Sequence, residues 1–345
     1  MTAAHKTAVS VMKQERRQQI TDLSNRVFGQ SPERVAFPGG KSRPTFIADM
    51  GSHGPFVFSK RENIEDAQAE GIVLKNLSHT SCVPMLKMVC NDWVVQQHIE
   101  GTRLPILLDR AENETERVIL IGNALHDLVA LHQEARSLTL QHRLPKLGVV
   151  KNWLKDRIDV VDRISELAGT QSPQINKSEI FKILNVRHDE FSKWDSRPGN
   201  AMVTTSKTVW IDWEDCGRSK ALNDLAVVLC DEWNGIGPES EEILIDKFLP
   251  KFNFSMSTDA ANRYLHHFGI VHTLLRIRLA QKLYHRDGEW WDREYCLQGD
   301  KIGVTPTEMN KQLDRVAQWI QYCPEWKNLE QWVRAIKKRY RLPLD

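Results

Sequence analysis

Asp195 and Asn200 stand five positions apart in Lys193-Trp194-Asp195-Ser196-Arg197-Pro198-Gly199-Asn200. Asp212 comes 12 residues after Asn200, in Val209-Trp210-Ile211-Asp212-Trp213-Glu214. The Pro198-Gly199 step reads as a tight loop carrying one carboxylate and one amide. The second carboxylate closes a short apolar strand. Phosphoryl transfer from a nucleotide needs such a set: one residue to orient the attacking hydroxyl and two oxygen ligands for magnesium. Hydrolases and dehydrogenases have no use for this spacing.

Elements on both sides must hold these residues in place. Residues 10–28 carry Val11, Ile20, Leu23 and Val27 among charges and read as a peripheral amphipathic helix. Val35-Ala36-Phe37, Thr45-Phe46-Ile47-Ala48 and Phe56-Val57-Phe58-Ser59-Lys60 read as strands separated by Pro38-Gly39-Gly40 and Gly51-Ser52-His53-Gly54-Pro55. A helix capped by Asn63 or Asp66 bears Ile64, Ala67, Ile72, Leu74 and Leu77. Two further strands, residues 83–89 and 93–99, turn at Asn91-Asp92. The pattern breaks at Glu100-Gly101, which sets a boundary between residues 1–100 and 101–345. Beyond it the apolar spacing predicts helices over residues 119–132, about 154–167, 257–284, 307–322 and 326–340. Thr208 to Ile211 is the one clear strand there.

The expected architecture is therefore α+β. A small antiparallel β-sheet lobe with one helix precedes a larger, mainly helical lobe that carries the Asp195 loop.

Composition agrees with a globular chain: 27% of the 345 residues are charged and 41% hydrophobic. The net charge of +2 argues against a polyanion such as nucleic acid as the main partner. No apolar run reaches membrane-spanning length, and the first residues lack the apolar stretch of a signal peptide. The six cysteines form no Cys-x-x-Cys pair, as expected for reduced thiols in the cytoplasm.

These motifs, in this order, resemble the aminoglycoside phosphotransferase family, the small-molecule branch of the protein-kinase-like fold, with choline kinase-like relatives. Residues 193–200 match its His-Gly-Asp-x-x-Pro-Gly-Asn loop. Ile211-Asp212-Trp213-Glu214 matches its metal motif, and Asn223-Asp224-Leu225-Ala226 its Asp-Leu-Ala segment. Leu125-His126-Asp127-Leu128-Val129-Ala130-Leu131-His132 matches its Leu-Ala-x-Leu-His helix. The resemblance covers roughly residues 30–285.

It implies a two-lobed, ATP- and Mg2+-dependent kinase of a small-molecule hydroxyl. Asp195 would be the catalytic carboxylate, and Asn200 and Asp212 the metal ligands. Lys60 would meet the nucleotide phosphates, with Glu70 or Glu65 as its ion-pair partner. Gly39, Gly40 and Ser42 would lie in the nucleotide-covering loop, and Gln97 and His98 in the hinge that reads the adenine edge. Two positions depart from the family. Lys193 stands for the usual His and Trp194 for the usual Gly, with Asp224 as the residue to brace the loop instead.

The acceptor is less legible. Glu214, Asp215, Asp231 and Glu232, with Trp213, Trp233, Trp290 and Trp291, would suit a cationic acceptor such as an aminoglycoside or choline. The rival reading is a pseudokinase that binds nucleotide as an interaction module. A protein kinase is disfavoured because neither Asp-Phe-Gly nor Ala-Pro-Glu occurs.

Overall fold

The computed structural model describes residues 17–38 and 45–344. The chain divides into two compact units, Met1–Glu100 with Trp213–Asp215, and Gly101–Asp212 with Cys216–Asp345.

In the first unit, helix α1 occupies residues 17–28. Five strands, β1 (Arg34–Ala36), β2 (Thr45–Asp49), β3 (Pro55–Lys60), β4 (Leu86–Cys90) and β5 (Trp93–Gln97), form one antiparallel sheet in the order β1-β2-β3-β5-β4. The β4–β5 turn is Asn91-Asp92, with Asn91 at φ 52, a left-handed conformation that Asn tolerates. Alternation along the strands builds a core from one face. Phe46, Ala48, Phe56, Phe58, Trp93 and Val95 pack there with Ile20 and Leu23 of α1. Helix α2 (Ile64–Leu77) packs against β4 and β5. Of the two cap candidates Asn63 is the one used, its side chain accepting from Asp66 N at 2.8 Å. Gly71 lets α2 come close to the sheet, since a Cβ there would stand 2.4 Å from Val89 Cγ2.

The second unit is mainly helical. Its helices are α3 (Leu104–Arg110), α4 (Glu114–Ser137), α5 (Trp153–Ile158), α6 (Val160–Ala168), α7 (Lys177–Leu184), α8 (Leu222–Leu229), α9 (Pro238–Phe252), α10 (Thr258–Asp287), α11 (Arg293–Gln298), α12 (Pro306–Trp319) and α13 (Leu329–Arg339). The long α10 runs past α6, α7, α8 and α12. Ser257 caps it and Gly288, at φ 77, ends it. All eight residues of α8 are buried, so this helix forms the floor on which the Asp195 loop rests. The single helix expected over about 154–167 is two, broken at Asp159.

Two small sheets frame the loop. β7 (Glu190–Ser192) pairs with β10 (Gly217–Ser219). β8 (Ala201–Val203) lies between β6 (Thr102–Arg103) and β9 (Thr208–Trp210). Among the described residues no helix is long and apolar enough to cross a membrane.

Candidate active site

The loop from β7 to β8 carries Asp195 and Asn200, and Asp212 lies two residues beyond β9. Backbone contacts bring the three together inside the second unit. Ile211 N donates to Asn200 O at 2.9 Å. The Asn200 amide Nδ2 donates to Asp195 Oδ2 at 2.7 Å and to Asp195 O at 3.1 Å. With its N–H groups so used, Asn200 has Oδ1 left for a cation. Asp195 is recessed, yet 35% of its side-chain surface stays open.

Two backbone positions here are unusual. Trp194 has φ 70 and Asp212 φ 58, left-handed values that side-chain-bearing residues rarely adopt. Asp195 N bonds back to Lys193 O at 2.9 Å, so Trp194 is the centre of a tight three-residue turn. The family's Gly would adopt it without strain. Here the surroundings must hold it, and Asp224 on α8 supplies the hold. Its carboxylate accepts from Lys193 N at 2.7 Å, Trp194 N at 2.8 Å, Ser192 Oγ at 3.2 Å and His132 Nε2 at 2.9 Å. Ser196 Oγ adds a bond to Asp224 O at 3.0 Å. His132 is the last residue of the Leu125–His132 motif on α4, so two motifs far apart in sequence meet at one carboxylate.

Lys193 is fully buried. Its ammonium donates to Asp195 O at 2.9 Å and Asp212 O at 2.7 Å. It thereby ties the loop of the acidic residue to the loop of the metal residue, a job a histidine's single ring N–H could not do for both carbonyls. Burial pushes its pKa down, against the pull of Asp195, Asp212 and Asp224. Burial likewise works against the Asp195 anion. Arg197, Lys193 and Arg276, with the Asn200 bond, outweigh it and set its pKa below the ordinary carboxylate value. A weakly basic carboxylate of this kind orients a hydroxyl rather than stripping it early.

Arg197 was not singled out from sequence. Its Nε lies 3.4 Å from Asp195 Oδ2, and its two terminal nitrogens bond Asp300 at 2.8 and 3.0 Å. Arg103 holds the same Asp300 at 2.6 Å and Gly199 O at 2.7 Å. The segment after α11 is thus fastened to the Asp195 loop. No local pattern signals Asp300, which lies 103 positions from its partner.

In the first unit the expected Lys60–Glu70 pair is absent. Lys60 Nζ lies 3.5 Å from Asp92 and over the Trp93 ring. Glu70, fully buried, is held by Arg61 through two bonds of 2.6 and 2.9 Å, and Arg61 Nη1 also reaches Glu214 at 2.5 Å. Parity explains the correction. Lys60 shares the strand face of Phe56 and Phe58, the face that α1 covers, so α2 meets the residue of opposite parity. Glu65 does not pair with Lys60 either, whose partner is Asp92; the buried acid is Glu70 and its partner is Arg61.

The pairing makes a checkable prediction. Arg61→Met should strand a buried carboxylate and destabilise the first unit by about 3–5 kcal/mol. Arg61→Met combined with Glu70→Met should recover much of that loss in urea unfolding. Equal losses in single and double variants would show that the pair is not what matters.

Gly39, Gly40 and Ser42 fall outside the described residues. Gln97 ends β5 and His98 follows it, but their backbone N–H groups are engaged, donating to Met85 O at 2.9 Å and Pro55 O at 3.3 Å. An adenine edge would find these two donors in use.

The candidate acids for a cationic acceptor are largely committed inside the chain. Glu214 pairs with Arg61. Glu232 is gripped by Arg276 and accepts from Gln312 at 3.0 Å and Gly303 N at 3.1 Å. Asp231 accepts from Trp233 N, and burial beside Glu232 pushes it up to about 7.

The fold is that of the small-molecule kinases, a mixed α and β chain with a small antiparallel sheet and a larger helical part. Among the solved structures similar to it is an amicoumacin kinase in complex with AMP-PNP, Ca2+ and Ami. It is 14% identical, with a TM-score of 0.58 over 86% of this chain and 97% of that one. The choline kinase LicA from Streptococcus pneumoniae is 13% identical, with a TM-score of 0.52 over 88% and 100%. A spectinomycin phosphotransferase in complex with ADP and spectinomycin is 12% identical, with a TM-score of 0.52 over 94% and 98%. No family model matches the sequence. No curated protein matches it either.

Proposed function

We propose that this chain is an ATP- and Mg2+-dependent phosphotransferase acting on a hydroxyl of a small molecule. The observation that carries the reading is the grouping of Asp195, Asn200 and Asp212 around the buried Lys193 ammonium. Asp195 would accept a hydrogen bond from the acceptor hydroxyl and aim its oxygen. That oxygen forms a bond to the γ-phosphorus as the bond to the ADP oxygen breaks. The hydroxyl proton leaves through Asp195 to solvent or to the product phosphate.

The donor set fits magnesium. It offers one carboxylate, on Asp212, and one amide oxygen, on Asn200. This cation prefers such a sparse protein contribution completed by phosphate oxygens and water. Among the described residues no three His, Cys, Asp or Glu side chains gather for a metal. When bound, magnesium would neutralise charge developing on the phosphates. No disulfide joins the six cysteines, which accords with a cytoplasmic setting.

A second reading has one specific observation behind it. Where the family has an accessible lysine for the phosphates, this chain has Arg61 sealed between two glutamates and Lys60 on the other face. A nucleotide-binding module without turnover would have that feature.

Melting the purified chain with ATP, with and without Mg2+, tests nucleotide binding. ADP release with amines, sugars and nucleosides then tests turnover. Asp212→Ala is expected to abolish turnover and the Mg2+-dependent part of the ATP stabilisation. Binding without turnover across the panel favours the second reading, the absence of Mg2+-dependent binding sinks the first, and no ATP binding at all sinks both.

A further inference from the structure

Arg157 on α5 has no ion pair or hydrogen bond to any described residue. Its guanidinium carbon lies 4.3 Å from the centre of the Trp153 ring and 5.9 Å from that of Trp194. The two indoles lie 5.5 Å apart at 37°. Trp194 directly precedes Asp195, so this cluster adjoins the loop that carries the candidate catalytic residue. His272 on α10 senses this region electrostatically. Its imidazole is pushed down to about 4 by burial and by Arg276, and it feels both Asp195 and Arg157. Trp153, Arg157, Trp194 and His272 each keep part of their surface open.

A largely buried cation without a carboxylate is costly. Burial lowers the Arg157 pKa to about 10. Two indole faces offset part of that cost but use none of the five N–H donors. The other arginines around Asp195 have acceptors: Arg197 and Arg103 hold Asp300, and Arg276 holds Glu232. Arg157 is therefore the charged donor set beside the loop whose acceptors must come from outside the chain. A guanidinium fork matches a planar or tetrahedral oxyanion through paired bonds.

Resting on the phosphotransferase reading, we propose that Arg157, set beside the adjoining Trp153 and Trp194 rings, binds an oxyanion group of the acceptor, a carboxylate or a phosphate, while the acceptor hydroxyl meets Asp195. The acceptor class is then an anionic hydroxyl compound rather than an amine.

Binding is measured first without ATP, by titration calorimetry and tryptophan fluorescence on the full chain. The probes are glycerate and glycerol 3-phosphate, with glycerol and choline as the neutral and cationic counterparts. ADP release with ATP and Mg2+ follows on the same four, so that a failed transfer reaction is read separately from a failed anion site. The expected result is saturable binding of at least one anion, tighter than glycerol or choline. Loss of the charge-assisted bonds in Arg157→Gln should weaken it about 10- to 100-fold without changing the affinity for ATP. Arg157→Lys, which keeps the charge but not the fork, should bind at an intermediate level and guards against a folding defect in the first variant. Glycerate against glycerol 3-phosphate tells carboxylate from phosphate. No anion binding by the unmodified chain, preference for choline, or equal binding by Arg157→Gln overturns the proposal.

Discussion

Asp195→Asn is expected to lower kcat for phosphoryl transfer by about 10²- to 10⁴-fold while leaving Mg2+-dependent ATP binding in place. The change is nearly isosteric. It removes the negative charge that aims the acceptor hydroxyl but leaves the Asn200 and Asp212 oxygens for the cation. A kcat loss with the nucleotide Kd unchanged is therefore the signature of a residue acting on the acceptor side. The pH profile supplies an independent check. Arg197, Lys193 and Arg276 depress the Asp195 pKa despite burial. The active carboxylate should then persist above its lowered pKa and be lost only as pH falls through it. The acid limb of kcat/KM assigned to this group should accordingly lie below about pH 4, the ordinary carboxylate region. A limb near pH 6, or full activity in Asp195→Asn, would remove this residue from the mechanism.

Asp224→Ala should be the most destabilising single change near the site. It deletes a fully buried carboxylate that accepts from two backbone N–H groups, a hydroxyl and a histidine. Those donors would be left in an apolar floor formed by α8, where water cannot readily replace the lost acceptor. A loss of about 3–5 kcal/mol is expected, read from the urea midpoint at constant m. Turnover should fall as well, because the left-handed Trp194 turn loses what holds it. Asp224→Asn keeps the volume but offers fewer acceptor sites and should lie between the two. A loss under about 1 kcal/mol in Asp224→Ala would mean that the loop holds its shape by other contacts.

Local patterns foretold much of what carries these two experiments. Pro198-Gly199 and the apolar Thr208–Ile211 run place Asp195, Asn200 and Asp212 on a loop and a strand end, and the structure has them there. Asn91-Asp92 makes its hairpin turn, Ser257 caps the long α10, and the α4 motif ends on a histidine that bonds Asp224. Lys60 shows where local reasoning stops. Alternation says that Lys60 and Arg61 point to opposite faces, but it does not say which face α2 will cover. That depends on α1 packing over Phe56 and Phe58, a long-range event. Short helices such as α3, α7 and α11 escaped notice because one or two turns do not establish a helical period.

By itself, then, the sequence determined the chemistry available: which carboxylate and amide share a loop, which acid ends a strand, and which turns close the hairpins. These are consequences of local dihedral preference and hydrophobic period, set within a few residues. Tertiary structure alone decided which charges are neutralised and which remain to meet a ligand. Glu70 chose Arg61, Asp300 reached back over 103 positions to Arg197, and Lys193 became the buried tie between the Asp195 and Asp212 loops. Arg157 was left beside two tryptophans without an acceptor in the described chain. The physical reason is desolvation. Burial makes each charge find a partner in space, and partners in space are assigned by packing rather than by neighbourhood along the chain.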